Sequence, residues 1–356
     1  MKKADSPISG PLIAESPGTA EARKADHIEL AFQSRISSGE LDERFLYEPM
    51  FSGHPMPGSL PDITFLGKTM RTPIWVSSMT GGATWARTIN TNLARACRQF
   101  GMGMGLGSCR SLLTSDEHLA DFAVRPLLGP DLPLYANLGI AQLEVLIKQG
   151  DLHLIDSLIQ RLDADGLIIH VNPLQEWFQP EGDRFEQPPL RTIQQILDKA
   201  TYPVMVKEVG QGMGYHSLKA LLHLPLAAVD LAAAGGTNFA QLENLRRTDD
   251  LREHWAPMVR VGHDARQMVG WINQIVREKK GPLSCQQIII SGGVHDFLDG
   301  YYLTRSCQLT SIYGQASALL RYAREGEEPL FRYLEAQIRG LEMAQAFLQI
   351  KEEASL

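Results

Sequence analysis

Short runs of apolar and β-branched residues recur along the chain, each ending on polar or glycine residues before a stretch with helical spacing. Runs at residues 73–77, 101–108, 132–137, 166–172, 203–208, 226–232, 287–291 and 310–313 predict eight strands. Most are almost continuously apolar, as strands are when helices cover both faces of a parallel sheet. The run Gly-Met-Gly-Met-Gly-Leu-Gly at 101–107 differs, because glycine is a poor strand former. It points to close approach of a ligand or a neighbouring backbone. Helical spacing follows at 87–100, 140–161, 191–200, 215–223 and 265–279. Eight strands alternating with helices predict the α/β class and a closed (β/α)8 TIM barrel.

Two stretches exceed ordinary loop length: 175–190, with Pro180, Pro188 and Pro189, after the fourth strand, and the charge-rich 237–261 after the sixth. Loops after strand C-termini build the active site in this fold, so both are candidate lids. Residues 330–350 predict one amphipathic helix, with Leu330, Leu334, Ile338, Leu341, Ala344 and Leu348 on its stripe. It can cover the barrel or another subunit, and a homo-oligomer is expected. Residues 1–22 mix Ser, Pro, Gly and Ala around Lys2 and Lys3 without an apolar centre. They predict a disordered leader, not a signal peptide, ahead of a single barrel domain at 23–356.

Composition narrows the function classes. With 44% hydrophobic residues, the chain can build one large core, and its net charge of −7 offers no general attraction to nucleic acid or anionic membranes. An anionic substrate would need a local cluster of Arg, Lys and backbone N–H groups. No apolar run reaches the roughly 18 residues that a membrane span requires. Cys97, Cys109, Cys285 and Cys307 are scattered, with no CxxC pair, which fits reduced thiols and a cytoplasmic location. No HxH, HExxH or GxSxG pattern supports a zinc or serine hydrolase.

The chemistry sits where the apolar runs end. In chain order these ends read Ser78-Met79-Thr80-Gly81-Gly82, Gly107-Ser108-Cys109-Arg110, Asn137, Asn172 with Gln175-Glu176, Lys207-Glu208, Gly235-Gly236-Thr237, Ser291-Gly292-Gly293 and Gly314-Gln315-Ala316. All strand C-termini of a barrel open on one face, so these residues line one pocket. Glycines after strands seven and eight let backbone N–H groups approach a phosphate beside a helix N-terminus, unless they only make tight turns. Lys207 closes an apolar run and should point into the pocket. There it can stabilise the anionic edge of a reduced flavin, form a Schiff base, or pair with Glu208 or Glu176. Glu176 and Glu181 are metal candidates, although a Mg²⁺ held by them would need phosphate oxygens and water to complete its shell. His27, in Arg23-Lys24-Ala25-Asp26-His27, is a ligand candidate or part of a solvated charge run.

Taken together, these segments resemble type 2 isopentenyl diphosphate isomerase, in family order from Arg23 to Ala316. The most specific piece is Asn172-Pro173-Leu174-Gln175-Glu176 followed by Gln179-Pro180-Glu181-Gly182-Asp183. The resemblance implies interconversion of isopentenyl and dimethylallyl diphosphate by an enzyme using reduced FMN, Mg²⁺ and NADPH as reductant. It implies that Ser78, Met79, Thr80, Ser108, Asn137, Lys207 and Thr237 contact FMN, and that the turns at Gly292-Gly293 and Gln315-Ala316 hold its phosphate. Arg23, Lys24, His27, Ser108, Arg110 and Gln175 would contact the diphosphate substrate, with Gln175 and Lys207 catalytic and Glu176 the metal ligand. The chain departs from the family pattern at Cys109, where Gln is usual, at Asn238-Phe239, where Ser-Trp is commoner, and in the helix through Tyr301 and Tyr302.

The nearest rival is an FMN-dependent oxidoreductase of the 2-hydroxy-acid oxidase type. Such enzymes place a His and an Arg together after strand six, where this chain reads Gly235-Gly236-Thr237-Asn238-Phe239-Ala240-Gln241.

Overall fold

The computed structural model describes residues 17–78, 85–278 and 282–351. Met79, Thr80, Gly81 and Gly82, expected in the pocket, lie outside the described residues. The chain divides into two units, Met1–Phe45 and Leu46–Leu356. In the first, Pro17–Leu30 is a helix that begins within the expected leader. Its start fits the preference for proline in the first helical turn. Arg23, Lys24 and His27 are exposed on this helix, and Lys24 and His27, three residues apart, share a face.

The second unit is the predicted barrel. Strands β1 (Ile74–Val76), β2 (Gly103–Gly105), β3 (Leu134–Gly139), β4 (Gly166–His170), β5 (Val204–Lys207), β6 (Ala228–Asp230), β7 (Gln287–Ser291) and β8 (Thr310–Gln315) run parallel in chain order. β8 pairs back to β1, with Gly314 opposite Trp75. Alternate residues face the interior, so the sequence writes the barrel's layers directly. Trp75, Tyr135, Ile168, Met205, Ala228, Ile289 and Ile312 form the apolar core. Two residues further along the same strands stand Ser77, Asn137, His170, Lys207, Asp230, Ser291 and Gly314. Each of these seven strands thus supplies an apolar side chain for the floor, and six of them a polar one for the mouth.

Gly103 and Gly105 occupy the interior positions of β2. A Cβ on Gly103 would lie 2.4 Å from the Trp75 ring, and one on Gly105 2.7 Å from both Ile168 Cδ1 and Ser78 Oγ. The close neighbour is largely an indole ring, a side chain where the glycine run suggested a ligand or a backbone. The other end of the barrel is closed by a hairpin of Ile63–Phe65 and Lys68–Met70, whose Phe65 and Met70 join the core. The N–H of Leu66 in its turn donates to Gln287 Oε1 at 2.7 Å, tying the plug to the start of β7.

The helices differ from expectation where glycine or short segments intervene. The predicted helix at 140–161 breaks into Ile140–Gln149 and His153–Leu162 at Gly150, whose φ of 77° ends the first. The stretch 175–190 begins inside a helix, Pro173–Phe178. The stretch 237–261 is mostly helical: Phe239–Arg246, Leu251–Trp255 and a 3-10 segment, Ala256–Arg260. Its first helix is capped by Asn238, whose Oδ1 accepts the Gln241 N–H at 2.8 Å. The C-terminal helix runs Glu327–Phe347, and Leu348–Ile350 is a strand, which shortens the predicted helix. Leu330, Leu334, Leu341 and Ala344 are buried, and Gly340 abuts the Phe297 ring, so the helix packs on the barrel's outer helices. The unusual helix Phe297–Ser306 also serves packing: Gly300 abuts the Tyr313 ring, and Tyr301 donates to the Leu348 carbonyl at 3.0 Å. No helix among the described residues is long and apolar enough to cross a membrane.

Candidate active site

A cleft opens over the C-terminal ends of β1 and β5–β8. Its wall after β6 and β7 is backbone packed on backbone. Gly292 (φ 85°), Gly293 (φ 69°) and Gly235 (φ 106°) have left-handed conformations. A Cβ on Gly292 would lie 1.9 Å from the Ala233 carbonyl oxygen, and one on Gly235 2.9 Å from Gly293 Cα. Tight turns are therefore required here, and successive glycines of this kind form concavities that hold anions. The helix Ser317–Glu325 starts at the cleft edge without a side-chain cap, and its first residues line the cleft. Its N-terminal dipole favours negative charge. The hydroxyls of Ser77 and Ser78, also in the lining, are buried and lack hydrogen-bond partners among the described residues. Gln315 accepts from Tyr333 Oη at 3.0 Å and donates to the Val294 carbonyl at 3.4 Å. Its side chain therefore braces the turn at Val294 against Tyr333, and its backbone carbonyl accepts the Ser77 N–H at 3.0 Å.

Lys207 is buried, and its Nζ donates to the Glu208 carbonyl at 2.7 Å. The ion pair expected as one alternative, to Glu208 or Glu176, does not form among the described residues. Instead one oxygen of Glu208 accepts three backbone N–H groups, from Gly210 and Gln211 at 2.7 Å and Gly212 at 2.9 Å. Asp230 is the register partner of Lys207 and fully buried, with the Ser291 hydroxyl donating to it. Burial pushes the Asp230 carboxyl above its ordinary range, and the Lys207 charge opposes that push.

His170 is the partner of Lys207 on the other side. Its Nδ1 lies 2.8 Å from Asn137 Oδ1, and Asn137 Nδ2 donates to the Leu106 carbonyl at 3.0 Å. That second bond fixes the amide, and an amide oxygen only accepts, so Nδ1 carries the proton and Nε2 keeps a lone pair. Asn137 thus has both ends of its amide engaged in orienting a histidine. Burial, reinforced by Lys207, pushes the His170 pKa from 6.5 down to about 3. Between these values the unfolded chain binds a proton that the folded chain does not, so stability falls as pH drops below 6.5. From pH 7 to pH 5 this group should remove at most about 2 kcal/mol. Urea unfolding at both pH values should show His170→Asn losing less stability than wild type, and equal losses would contradict the assignment.

Glu176 anchors the β4 side of the mouth. Its Oε1 accepts Asn172 Nδ2 at 2.9 Å and its Oε2 the Asp183 N–H at 2.8 Å. The same Asn172 amide reaches Gln175 Oε1 at 3.1 Å. Asp183 in turn accepts Arg110 Nη1 at 2.8 Å and Gln142 Nε2 at 2.9 Å. Ser108 and Arg110 are exposed at the rim, and Thr237 is half-buried in the cleft lining. Glu181, the other metal candidate, is exposed and paired with Arg246. No group of three His, Cys, Asp or Glu residues among those described could hold a metal by itself. Cys109 is fully buried with its thiol on the Gly107 carbonyl, and burial pushes its pKa up to about 12. That position offers the cleft no exposed side chain.

Sequence reading left His170, Asp230, Ser77 and Asp183 off the site. The first three follow from the strands' alternation, each two residues after a core side chain.

A parallel barrel whose polar mouth carries a glycine cradle, a buried lysine and a network around one carboxylate is an enzyme scaffold. Solved structures share its fold: flavocytochrome b2 with pyruvate bound, at 13% identity and TM-score 0.57, over 89% of this chain and 78% of that one. A mandelate oxidase variant with benzaldehyde matches at 13% identity and TM-score 0.55, over 85% and 82%. No protein-family model matches the chain. The isopentenyl-diphosphate delta-isomerase of Rickettsia peacockii (strain Rustic) is 34% identical over 331 residues, 90% of this chain and 91% of the relative. That of Rickettsia akari (strain Hartford) is 35% identical over 321 residues, 85% and 86%. The chain belongs to the isopentenyl-diphosphate delta-isomerase family.

Proposed function

We propose that the protein interconverts isopentenyl and dimethylallyl diphosphate, with FMN in the cleft, Mg²⁺ at Glu176 and NADPH as the reductant of the flavin. The observation that carries this reading is one barrel mouth divided between two anion-handling halves. The β6–β8 half, with its glycine turns, helix N-terminus, buried Lys207 and two unpartnered serine hydroxyls, fits a flavin phosphate and ring. The β4 half offers one carboxylate already oriented by two donors, which fits a Mg²⁺ whose remaining ligands are diphosphate oxygens and water. NADPH rests on the family resemblance alone.

Reduced FMN would supply, when bound, a ring N–H and a negatively charged ring edge. Lys207 would fix a positive charge at that edge, and a charge held in place needs no reorganisation during reaction. Asn172 and the Asp183 N–H would aim Glu176 at the metal, while Gln175, Ser108 and Arg110 contact the substrate. Ser78, Thr237 and the turns at Gly292-Gly293 and Gln315-Ala316 would hold FMN. His170 would stay neutral and offer Nε2 as an acceptor.

The hydroxy-acid oxidase reading lacks its machinery. Among the described residues Lys207 and His295 are the titratable ones in the cleft lining, and the turn after β6 contributes glycine, threonine and phenylalanine. The deciding experiment is anaerobic turnover of isopentenyl diphosphate with Mg²⁺ and sub-stoichiometric reductant. Product should far exceed reducing equivalents, with solvent deuterium entering the new methyl group. Product capped at the reductant supplied would restore the oxidoreductase reading.

A second outcome concerns FMN alone. At 100 times its dissociation constant FMN should stabilise the wild type by about 2.7 kcal/mol. In Gly293→Asp the shift should vanish, because the new side chain meets a left-handed backbone and the Ala234 carbonyl at 2.9 Å. Thermal unfolding with and without FMN reads this, and an undiminished shift would place FMN elsewhere.

A further inference from the structure

The segment after β6 makes contacts that the proposed reaction does not use. Arg247, just beyond the helix Phe239–Arg246, is a buried arginine. Its Nη1 donates to the backbone carbonyl of Phe178 at 2.8 Å, its Nε to Asp249 at 2.9 Å, and its Nη2 also reaches Asp249. Its guanidinium lies 4.6 Å from the centroid of the Trp255 ring. Trp255 meets Phe178 edge-on at 5.7 Å and Trp177 at 6.3 Å. Phe178 is the last residue of the helix Pro173–Phe178, which carries Gln175 and Glu176. A second arginine, Arg184, donates to the Glu176 carbonyl and covers the Trp177 ring at 5.1 Å.

A six-residue helix has little stability of its own, because nucleation is costly and each end leaves backbone groups unsatisfied. Here two cations occupy its C-terminal carbonyls, where the dipole favours positive charge. Arg184 belongs to the same loop and moves with it. Arg247 comes from a different βα excursion, is held at Asp249 and Trp255, and so fixes the helix against the barrel.

We propose that Arg247 is a positioning residue for Glu176: it pins the C-terminus of the Gln175–Glu176 helix so that the carboxylate is held ready for a metal–diphosphate ligand. This rests on the reading of Glu176 given above. Residues that orient a metal ligand typically contribute about 10- to 100-fold to metal affinity. The charge-rich segment 237–261 is then a buttress, not a lid.

The test is calorimetric binding of inorganic pyrophosphate with Mg²⁺ to the FMN-loaded wild type, Arg247→Met and Arg247→Lys, with FMN affinity measured separately. Arg247→Met should bind Mg²⁺–pyrophosphate about tenfold more weakly with FMN affinity unchanged. Arg247→Lys, which keeps a donor for the Phe178 carbonyl, should recover most of that loss. Wild-type binding by Arg247→Met overturns the proposal, as does equal loss of pyrophosphate and FMN, which marks a general folding defect. Arg247→Lys as weak as Arg247→Met also overturns it. Should Arg247→Met not fold, Asp249→Asn carries the same comparison, and an unchanged affinity there overturns it. If the wild type itself shows no Mg²⁺-dependent binding, the Glu176 reading fails first and this proposal with it.

Discussion

Glu176→Gln should keep FMN, lose the Mg²⁺ requirement and slow turnover by about 10²- to 10³-fold or more. The carboxylate spends each oxygen on a different donor, Oε1 on the Asn172 amide and Oε2 on the Asp183 N–H. Glutamine has one acceptor oxygen, so its own NH₂ must face one of those donors. The orphaned donor should cost about 1–3 kcal/mol of local stability. If the Asp183 N–H is the one abandoned, Asp183 loses its anchor, and Arg110 and Gln142, which bind its carboxylate, shift with it. A lost negative charge and a displaced Arg110 both weaken Mg²⁺–diphosphate binding, whereas the glycine cradle after β6 and β7 is untouched. Turnover titrated with Mg²⁺, beside an FMN binding isotherm, separates the two. Wild-type activity with unchanged metal dependence would show that Glu176 is only a structural acceptor.

How legible this site is depends on which interaction fixes each residue. The barrel follows from local pattern: eight apolar runs of the right length between helical stretches leave little choice of fold. Lys207 is readable because it ends such a run, and Asp230 and His170 obey the same two-residue step. They are inconspicuous because Asp230 sits inside an otherwise apolar run and His170 belongs to no metal-ligand spacing. Asp183 is different. Its importance comes from three partners, at Arg110, Gln142 and Glu176, that lie 73, 41 and 7 residues away. No local pattern encodes such a convergence. The segment 237–261 is hard to read for the opposite reason: its charges resemble a solvated loop, yet Arg247 binds a backbone carbonyl and an indole ring. Gln315 shows that a strand-end position does not reveal a side chain's partners, since its amide braces Tyr333 and Val294.

Lys207→Met should fold and bind oxidised FMN, yet turn over substrate about 10²- to 10³-fold more slowly or worse. Methionine nearly matches the aliphatic stem of lysine, and Met205 two residues earlier already packs in the barrel interior. The loss is electrical. Lys207 is the cation that opposes the upward push of burial on both Asp230 and Glu208. Without it Asp230, fully buried beside Ser291, should take up a proton and become neutral. The cleft then holds no fixed positive charge for the anionic edge of a reduced flavin. Two measurements distinguish this from a packing defect. The reduction potential of bound FMN should fall in Lys207→Met, because only the reduced form carries the charge that the lysine favours. The double variant Lys207→Met with Asp230→Asn should regain thermal stability, since no carboxyl is left buried without a counter-charge, but it should recover neither the potential nor turnover. Recovery of turnover in the double variant would mean that Lys207 serves only to neutralise Asp230, and wild-type turnover in Lys207→Met would remove it from the chemistry altogether.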